Sequence, residues 1–128
     1  MLINSFEDLL LAAAMQTVPQ RLLIAFAQAE AEPDAAPGAT PRTTLVPVMC
    51  VDKQVGELDT FAHLVEESQA MGQRWDVMLI STLSGQDGVL PDPQRTEAAL
   101  NLMLGQIQQG QMERMLAFDR SGDLLQYH

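Results

Sequence analysis

The spacing of apolar residues divides the first part of the chain into a helix and a strand. An amphipathic helix is predicted over residues 5–16, where apolar side chains recur at helical spacing (Phe6, Leu9, Leu10 and Ala13). Ser5 is its expected N-cap, with Asp8 in the position of the capping-box acid. The next apolar run, residues 21–28, is almost continuous and is typical of a buried strand. Its leucines and alanines also leave a helix open as the alternative.

A second strand is predicted over residues 43–51 (TTLVPVMCV), which are apolar and rich in β-branched residues. Pro47 has no N–H for a ladder, so this strand should lie at a sheet edge or carry a bulge. Residues 30–42 separate the two strands and contain three prolines, one glycine and three acids. We interpret them as a mobile surface loop within a single domain that spans residues 1–128.

The remaining elements follow from similar patterns. A helix is expected from near Glu57 to Gly72, with a core stripe of Leu58, Phe61, Leu64, Val65 and Met71. A strand follows at 75–82. Asp92 before Pro93 is a strong helix start, and Gly110 ends that helix. Strands are predicted at 112–118 and 124–127, joined by a hairpin turn over 119–123.

The resulting element order is α-β-β-α-β-α-β-β. Strands that alternate with helices favour an α/β arrangement, with α+β as a possibility, in which three helices pack on a mixed sheet of about five strands. The helix between the second and third strands favours a parallel crossover between them.

Composition narrows the classes of function. With 17 acidic against 7 basic residues the net charge is −10, which repels nucleic-acid phosphate and anionic membranes. A lone Cys50 excludes an internal disulfide and a cysteine-rich zinc site. No apolar run approaches the roughly 20 residues of a membrane span, and the N-terminus lacks the basic flank of a signal peptide. We therefore expect a cytoplasmic protein, with no cofactor or metal.

Cys50 is the first candidate for a reactive site. Alternation along the strand places Cys50 and Asp52 on one face, and Val51 and Lys53 on the other. A cysteine near a lysine is a candidate for a thiol of lowered pKa. Catalysis would also need a base, for which His63 is the only internal imidazole. The interpretation that we favour is a small buried hydrophobic residue, because free cysteines are commonly buried.

The glycine-bearing segment from Ser84 to Gly88 is the second place. Such a loop between a strand and a helix is able to cradle an anion with backbone N–H groups, but these residues are also standard turn formers, and we favour a plain turn. Together the two places define one hypothetical ligand crevice at the C-terminal ends of strands 43–51 and 75–82. Its lining would be Cys50, Asp52, Lys53, Ser84 and Asp87, and it requires the two strands to be parallel neighbours.

Four segments, LVPVMCVDK, ELDTFAHLVEES, WDVMLISTLSG and MLAFDRSGDLLQ, carry a resemblance. Over nearly the whole chain they resemble a family of small bacterial proteins often labelled ribonucleotide reductase subunit alpha. A reductase catalytic subunit needs a radical-bearing cysteine, a reducing cysteine pair and a large barrel, so a chain of 128 residues with one cysteine inherits no catalytic residues from that label. The element order is also similar to that of the N-terminal domain of serine-sensitivity-enhancing proteins, which implies a fold and no activity.

Two classes of function remain after this reasoning. The favoured one is a non-enzymatic protein that acts by association with itself, as a homodimer, or with another protein, because no base–nucleophile spacing is present and an edge strand near Pro47 is available for pairing. The alternative is a small-molecule-binding protein or enzyme that uses the crevice described above.

Overall fold

A computed structural model describes residues 3, 5–15, 19–31, 43–54, 60–86 and 88–125. The helices are α1 (Phe6–Ala14), α2 (Phe61–Ala70) and α3 (Pro93–Gln108). The strands are β1 (Gln20–Ala31), β2 (Thr43–Gln54), β3 (Val77–Ser84), β4 (Leu116–Phe118) and β5 (Leu124–Leu125). Their order along the chain, α-β-β-α-β-α-β-β, is the order predicted from the sequence, so the combination of three helices and five strands is confirmed.

The five strands form one sheet in the order β2-β1-β3-β4-β5, and every neighbouring pair is antiparallel. The prediction of a mixed sheet was therefore wrong, because the sheet is entirely antiparallel. β2 and β3 do run in the same direction, but β1 lies between them. The connection through α2 thus passes over β1, and β1 occupies an interior position where residues 22–27 are all buried.

The helices cover both faces of the sheet. α1 and α2 pack on the first face over a core rich in aromatic side chains, in which Phe6 contacts Phe61 and Phe118 with ring centroids 5.2 and 5.9 Å apart. α3 packs on the second face, where the sheet presents aliphatic and small residues (Leu23, Ala25, Ala27, Leu45, Val77, Leu79 and Ala117) against Met103 and Ile107. Alternate residues of each strand belong to alternate cores, as the pleat requires.

Local capping explains where the helices begin. The side chain of Ser5 accepts a hydrogen bond from the Asp8 N–H at 3.2 Å, and that of Asp92 accepts one from the Arg95 N–H at 2.7 Å. Both N-caps are those predicted from the sequence. Thr60 caps α2 in the same way, through the His63 N–H at 3.1 Å. These bonds satisfy backbone donors that have no partner inside the helix.

Pro47 behaves as its chemistry requires. β2 is the edge strand of the sheet, and its register against β1 shifts between Phe26 and Ala27, which pair with Met49 and Pro47. The prediction of an edge or a bulge is therefore met on both counts. Val48 is the extra residue that the bulge accommodates.

Several predicted boundaries need correction. β1 continues through Glu30 and Ala31, the first residues of the predicted loop 30–42; the rest of that loop, and the expected helix start near Glu57 with Leu58, lie outside the described residues. Met71 is not part of the core: it is 45% exposed at the C-cap of α2. The strand predicted from Met112 begins only at Leu116, because residues 112–115 form a turn closed by the Met115 N–H on the Met112 C=O.

Candidate functional site

Cys50 and Asp52 share one face of β2, as alternation predicted. Cys50 lies opposite Ala25 and Asp52 opposite Leu23, so both are on the face that α3 covers. Lys53 lies opposite Leu22 on the other face, where its Nζ is 2.6 Å from Glu67 Oε1 of α2. The lysine ammonium is therefore turned away from the thiol and is already paired.

The environment of Cys50 corrects two expectations about it. The side chain is exposed, so it is not the buried hydrophobic residue that we favoured. Its pKa is raised rather than lowered, first by partial burial and then by the negative charge of Asp52. His63 belongs to α2, on the opposite face of the sheet from Cys50. Within the described residues, this thiol therefore has neither the lysine nor the imidazole beside it that a reactive thiol would have needed.

Ser84 and the loop after it form a tight turn. The Gln86 N–H donates to the Val89 C=O at 3.0 Å and the Val89 N–H returns a bond of 2.9 Å, while the Gly85 N–H donates to the Pro19 C=O at 2.8 Å. These amides are thus committed within the protein, which favours the turn interpretation over an anion cradle. A Cβ on Gly85 would lie 2.0 Å from the Val89 carbonyl oxygen, so the close backbone approach requires glycine. Asp87 lies outside the described residues.

The hypothetical crevice is not assembled by the described residues. It required β2 and β3 to be neighbours, and β1 separates them. At this end of the sheet Asp52 forms an ion pair with Arg21, with Nη1 2.8 Å from Oδ2, and Ser84 accepts a hydrogen bond from Gln20 Nε2 at 2.9 Å. Asp52 is on the α3 face and Ser84 on the α1 face, because their partners in β1, Leu23 and Gln20, alternate.

The backbone of β2 offers a site that the identities of its side chains do not indicate. Odd-numbered residues of β1 direct their main-chain groups toward β3, since the Pro19 and Ala27 carbonyls accept bonds of 2.8 Å from the Gly85 and Asp76 N–H groups. Main-chain groups alternate sides along an antiparallel strand. Leu22, Ile24 and Phe26 therefore direct theirs toward β2, where they face Lys53, Val51 and Met49.

The residues between these partners direct their groups out of the sheet. Cys50 and Asp52 therefore present N–H and C=O groups to the open side of the edge strand. Pro47 lies in the same outward set beyond the bulge, where its missing N–H costs no bond to β1. The C-terminal half of β2 is consequently able to accept a further strand, and the proline restricts pairing on the N-terminal half.

The charges on this edge are neutralised within the protein. Asp52 and Lys53 are the charged residues of β2, and each forms an ion pair, Asp52 with Arg21 of the neighbouring strand β1 and Lys53 with Glu67 of α2. A shallow hollow of about 200 Å³ opens beside this edge, lined by Pro47, Val48, Met49, Cys50, Leu104 and Gln108. The edge is therefore locally neutral and partly apolar on a chain of net charge −10.

The described residues hold neither a metal-binding cluster nor a membrane-spanning helix. Within the described ranges no group of three or more His, Cys, Asp or Glu side chains is placed to hold a metal ion. No helix in the described part of the chain has both the length and the apolar character to cross a bilayer.

Comparison with known proteins adds no further constraint on the site. The chain matches no family model, no curated protein and no solved structure. The resemblances drawn from the sequence therefore stay predictions.

Proposed function

We propose that this protein is a non-enzymatic cytoplasmic protein that associates with a second copy of itself through the edge of β2. The single observation that carries the proposal is the outward-facing backbone of Cys50 and Asp52 on an edge strand of 12 residues. Unpaired edge groups of this kind are templates for pairing with another chain.

A two-fold pairing suits this stretch of backbone. In an antiparallel arrangement centred on Val51, Cys50 faces the partner's Asp52, and Asp52 faces the partner's Cys50. Both residues have outward groups, so reciprocal N–H···O=C bonds form on each side of the axis. A register that opposes the two Asp52 side chains directly is disfavoured, because like charges at opposed positions destabilise a sheet.

The local charge supports a second copy of this chain over a partner of opposite charge. Two bodies of charge −10 repel each other, but the repulsion is screened beyond about 10 Å at 0.1 M salt. At the contact itself, the ion pairs of Asp52 and Lys53 leave each edge neutral. Association should accordingly strengthen with added salt, whereas binding to a basic partner would weaken.

The test is the oligomeric state of three proteins in sedimentation equilibrium. The unaltered chain and Cys50→Ser are expected to dimerise with rising concentration, since serine keeps the outward N–H. Cys50→Pro is expected to be monomeric, since proline removes an N–H that faces the partner and leaves the bonds to β1 in place. Circular dichroism checks that the proline variant is folded. An unaltered chain that stays monomeric at millimolar concentration would refute the proposal.

Cross-linking supplies a second readout that needs no substitution. In the pairing centred on Val51, the two Cys50 Cα atoms lie about 8 Å apart, from two residues along the strand and one strand spacing across. That is too far for a disulfide and within reach of a short bis-maleimide. Since the chain has one cysteine, every covalent dimer must form through Cys50. A reagent that modifies Cys50 without linking two chains, at concentrations where the dimer sediments, would place the interface elsewhere.

A further inference from the structure

A second feature lies on the side of β3 that faces away from β1, where the sheet has a gap. On its β3 side, β4 reaches only from Met78 to Ile80. Beyond Ile80, residues 81–84 of β3 have β1 on one side and no strand of the described chain on the other. Three of the four residues in this stretch carry hydroxyl groups, Ser81, Thr82 and Ser84.

The backbone in this gap is open for the same reason as in β2. Even-numbered residues of β3 direct their main-chain groups toward β4, because the odd-numbered ones face β1. Thr82 and Ser84 therefore direct N–H and C=O groups into the gap. Neither the Thr82 nor the Ser84 N–H donates in the turn and loop hydrogen bonds of the described residues, and β1 is not their partner because it takes the odd-numbered residues of β3.

A cleft of about 410 Å³ lies over this gap and beneath α1. Its volume is within the usual range of small-molecule sites. Its apolar lining comes from Ile3, Leu9, Ala12, Ala13, Ile80 and Leu116. Its polar lining comes from Gln20, Ser81, Thr82, Ser84 and Arg114. The alanines of α1 are small, which leaves room above the sheet.

Arg114 is the cation of this cleft. It also lines a neighbouring hollow of about 590 Å³, together with Glu113 and Gln106. Among the described residues Arg114 has no acidic side chain within ion-pair distance, whereas Arg21 and Arg74 are paired with Asp52 and Asp76. The guanidinium is therefore available to bind a carboxylate with two parallel hydrogen bonds.

We propose that the cleft beneath α1 binds a small monocarboxylate with an apolar body, its carboxylate on Arg114 and its apolar part against Leu9, Ile80 and Leu116. The hydroxyl of Thr82 and the N–H groups of Thr82 and Ser84 complete the polar lining of the site. A carboxylate suits the cleft better than a phosphate, because a single arginine on a chain of charge −10 compensates one negative charge more fully than two. This site is independent of the β2 edge.

The proposal is tested with hexanoate as the probe, by titration into the unaltered chain followed by backbone amide NMR. We expect saturable shifts at Thr82 and Ser84. Arg114→Gln should weaken binding at least tenfold, since it removes the charge-assisted bonds. Arg95→Gln is the matched control: it deletes an exposed arginine outside the cleft and should bind hexanoate as the unaltered chain does.

Two further probes identify the chemistry of the site. 1-Hexanol keeps the apolar body without the charge, and inorganic phosphate keeps a charge without the body; both should bind at least tenfold more weakly than hexanoate. The proposal is overturned if hexanoate produces no localised shift, if Arg114→Gln and Arg95→Gln bind alike, or if phosphate or hexanol equals hexanoate. Cys50→Pro should leave these results unchanged, so failure of dimerisation and failure of this site are distinguishable.

Discussion

The two edges of the sheet are built in opposite ways. β2, at one edge, is 12 residues long and turns the N–H and C=O groups of Cys50 and Asp52 away from the sheet. β5, at the other, is two residues long in the described part of the chain, and Ser5 forms a bridge with Asp123 beside its start. A short edge that the chain itself covers resists pairing with other molecules, and a long open one invites it. Association should therefore be directed to one edge.

The edge formed by β5, which we call the closed edge, depends on the turn before β5. Asp119 Oδ1 accepts hydrogen bonds from the Ser121 N–H at 2.8 Å and the Asp123 N–H at 3.1 Å. Gly122 adopts a φ of +86° and lies against Phe61 of the aromatic core. The hairpin turn predicted at 119–123 is thus confirmed, and it ties β5 to the first face of the sheet.

Among substitutions at the closed edge, Gly122→Ala is expected to cause the largest loss of stability. The positive φ alone costs about 1–2 kcal/mol for a residue with a Cβ. The new Cβ would also lie 3.2 Å from Phe61 Cδ1, which requires the ring to shift. We expect the free energy of unfolding to fall by about 2–3 kcal/mol, measured by urea denaturation.

Gly110→Ala is the control for that substitution. Gly110 has a φ of +77°, but a Cβ there would meet nothing within 4 Å. The free energy of unfolding should fall by about 1–2 kcal/mol in Gly110→Ala, from the backbone conformation alone. Equal losses at the two glycines would show that the contact with Phe61 contributes nothing to the closed edge.

A smaller loss of stability is expected from Asp119→Ala. The substitution removes the acceptor of two backbone N–H groups, which should lower the free energy of unfolding by about 1 kcal/mol. Asp119→Asn keeps a side-chain oxygen and should lose less than half as much. The same denaturation measurement applies, and an alanine variant as stable as the unaltered chain would mean that β5 is held without this turn.

The smallest effect concerns the thiol on the open edge. Since Asp52 helps to raise the pKa of Cys50, Asp52→Asn should lower that pKa and increase the thiolate fraction at pH 7.5. At concentrations below dimerisation we expect alkylation about twofold faster or more. In the unaltered chain the rate should rise with pH into the alkaline range. A slower or unchanged rate in Asp52→Asn would contradict the electrostatic explanation.

Much of the fold was accessible from the sequence because its signals are local. Asp92 followed by Pro93, the capping position of Ser5 and the edge position of Pro47 each depend on the chemistry of one or two residues, and all three are confirmed. The order of strands is not local. An α-helical connection between β2 and β3 is equally compatible with strands that are direct neighbours and with a crossover that skips one strand. Here the crossover skips one strand, because β1 lies between β2 and β3.

The candidate sites were harder to predict for a related reason. Cys50 is exposed because β2 is an edge strand, and Lys53 is separated from it by the alternation of faces and by its pairing with Glu67. The backbone groups of Cys50 and Asp52 carry no residue-specific signal at all. The cleft beneath α1 depends on β4 being short, and the predicted strand from Met112 would have filled the gap beside Thr82 and Ser84.

Amide hydrogen exchange of β2 tests the central claim most directly. If the edge pairs with a second copy, the outward N–H groups of Cys50 and Asp52 exchange more slowly as protein concentration rises, while the Thr82 N–H, which faces the gap in the sheet, keeps its rate. Exchange at Cys50 and Asp52 that stays fast and independent of concentration, in a range where the protein sediments as a dimer, would contradict pairing through β2.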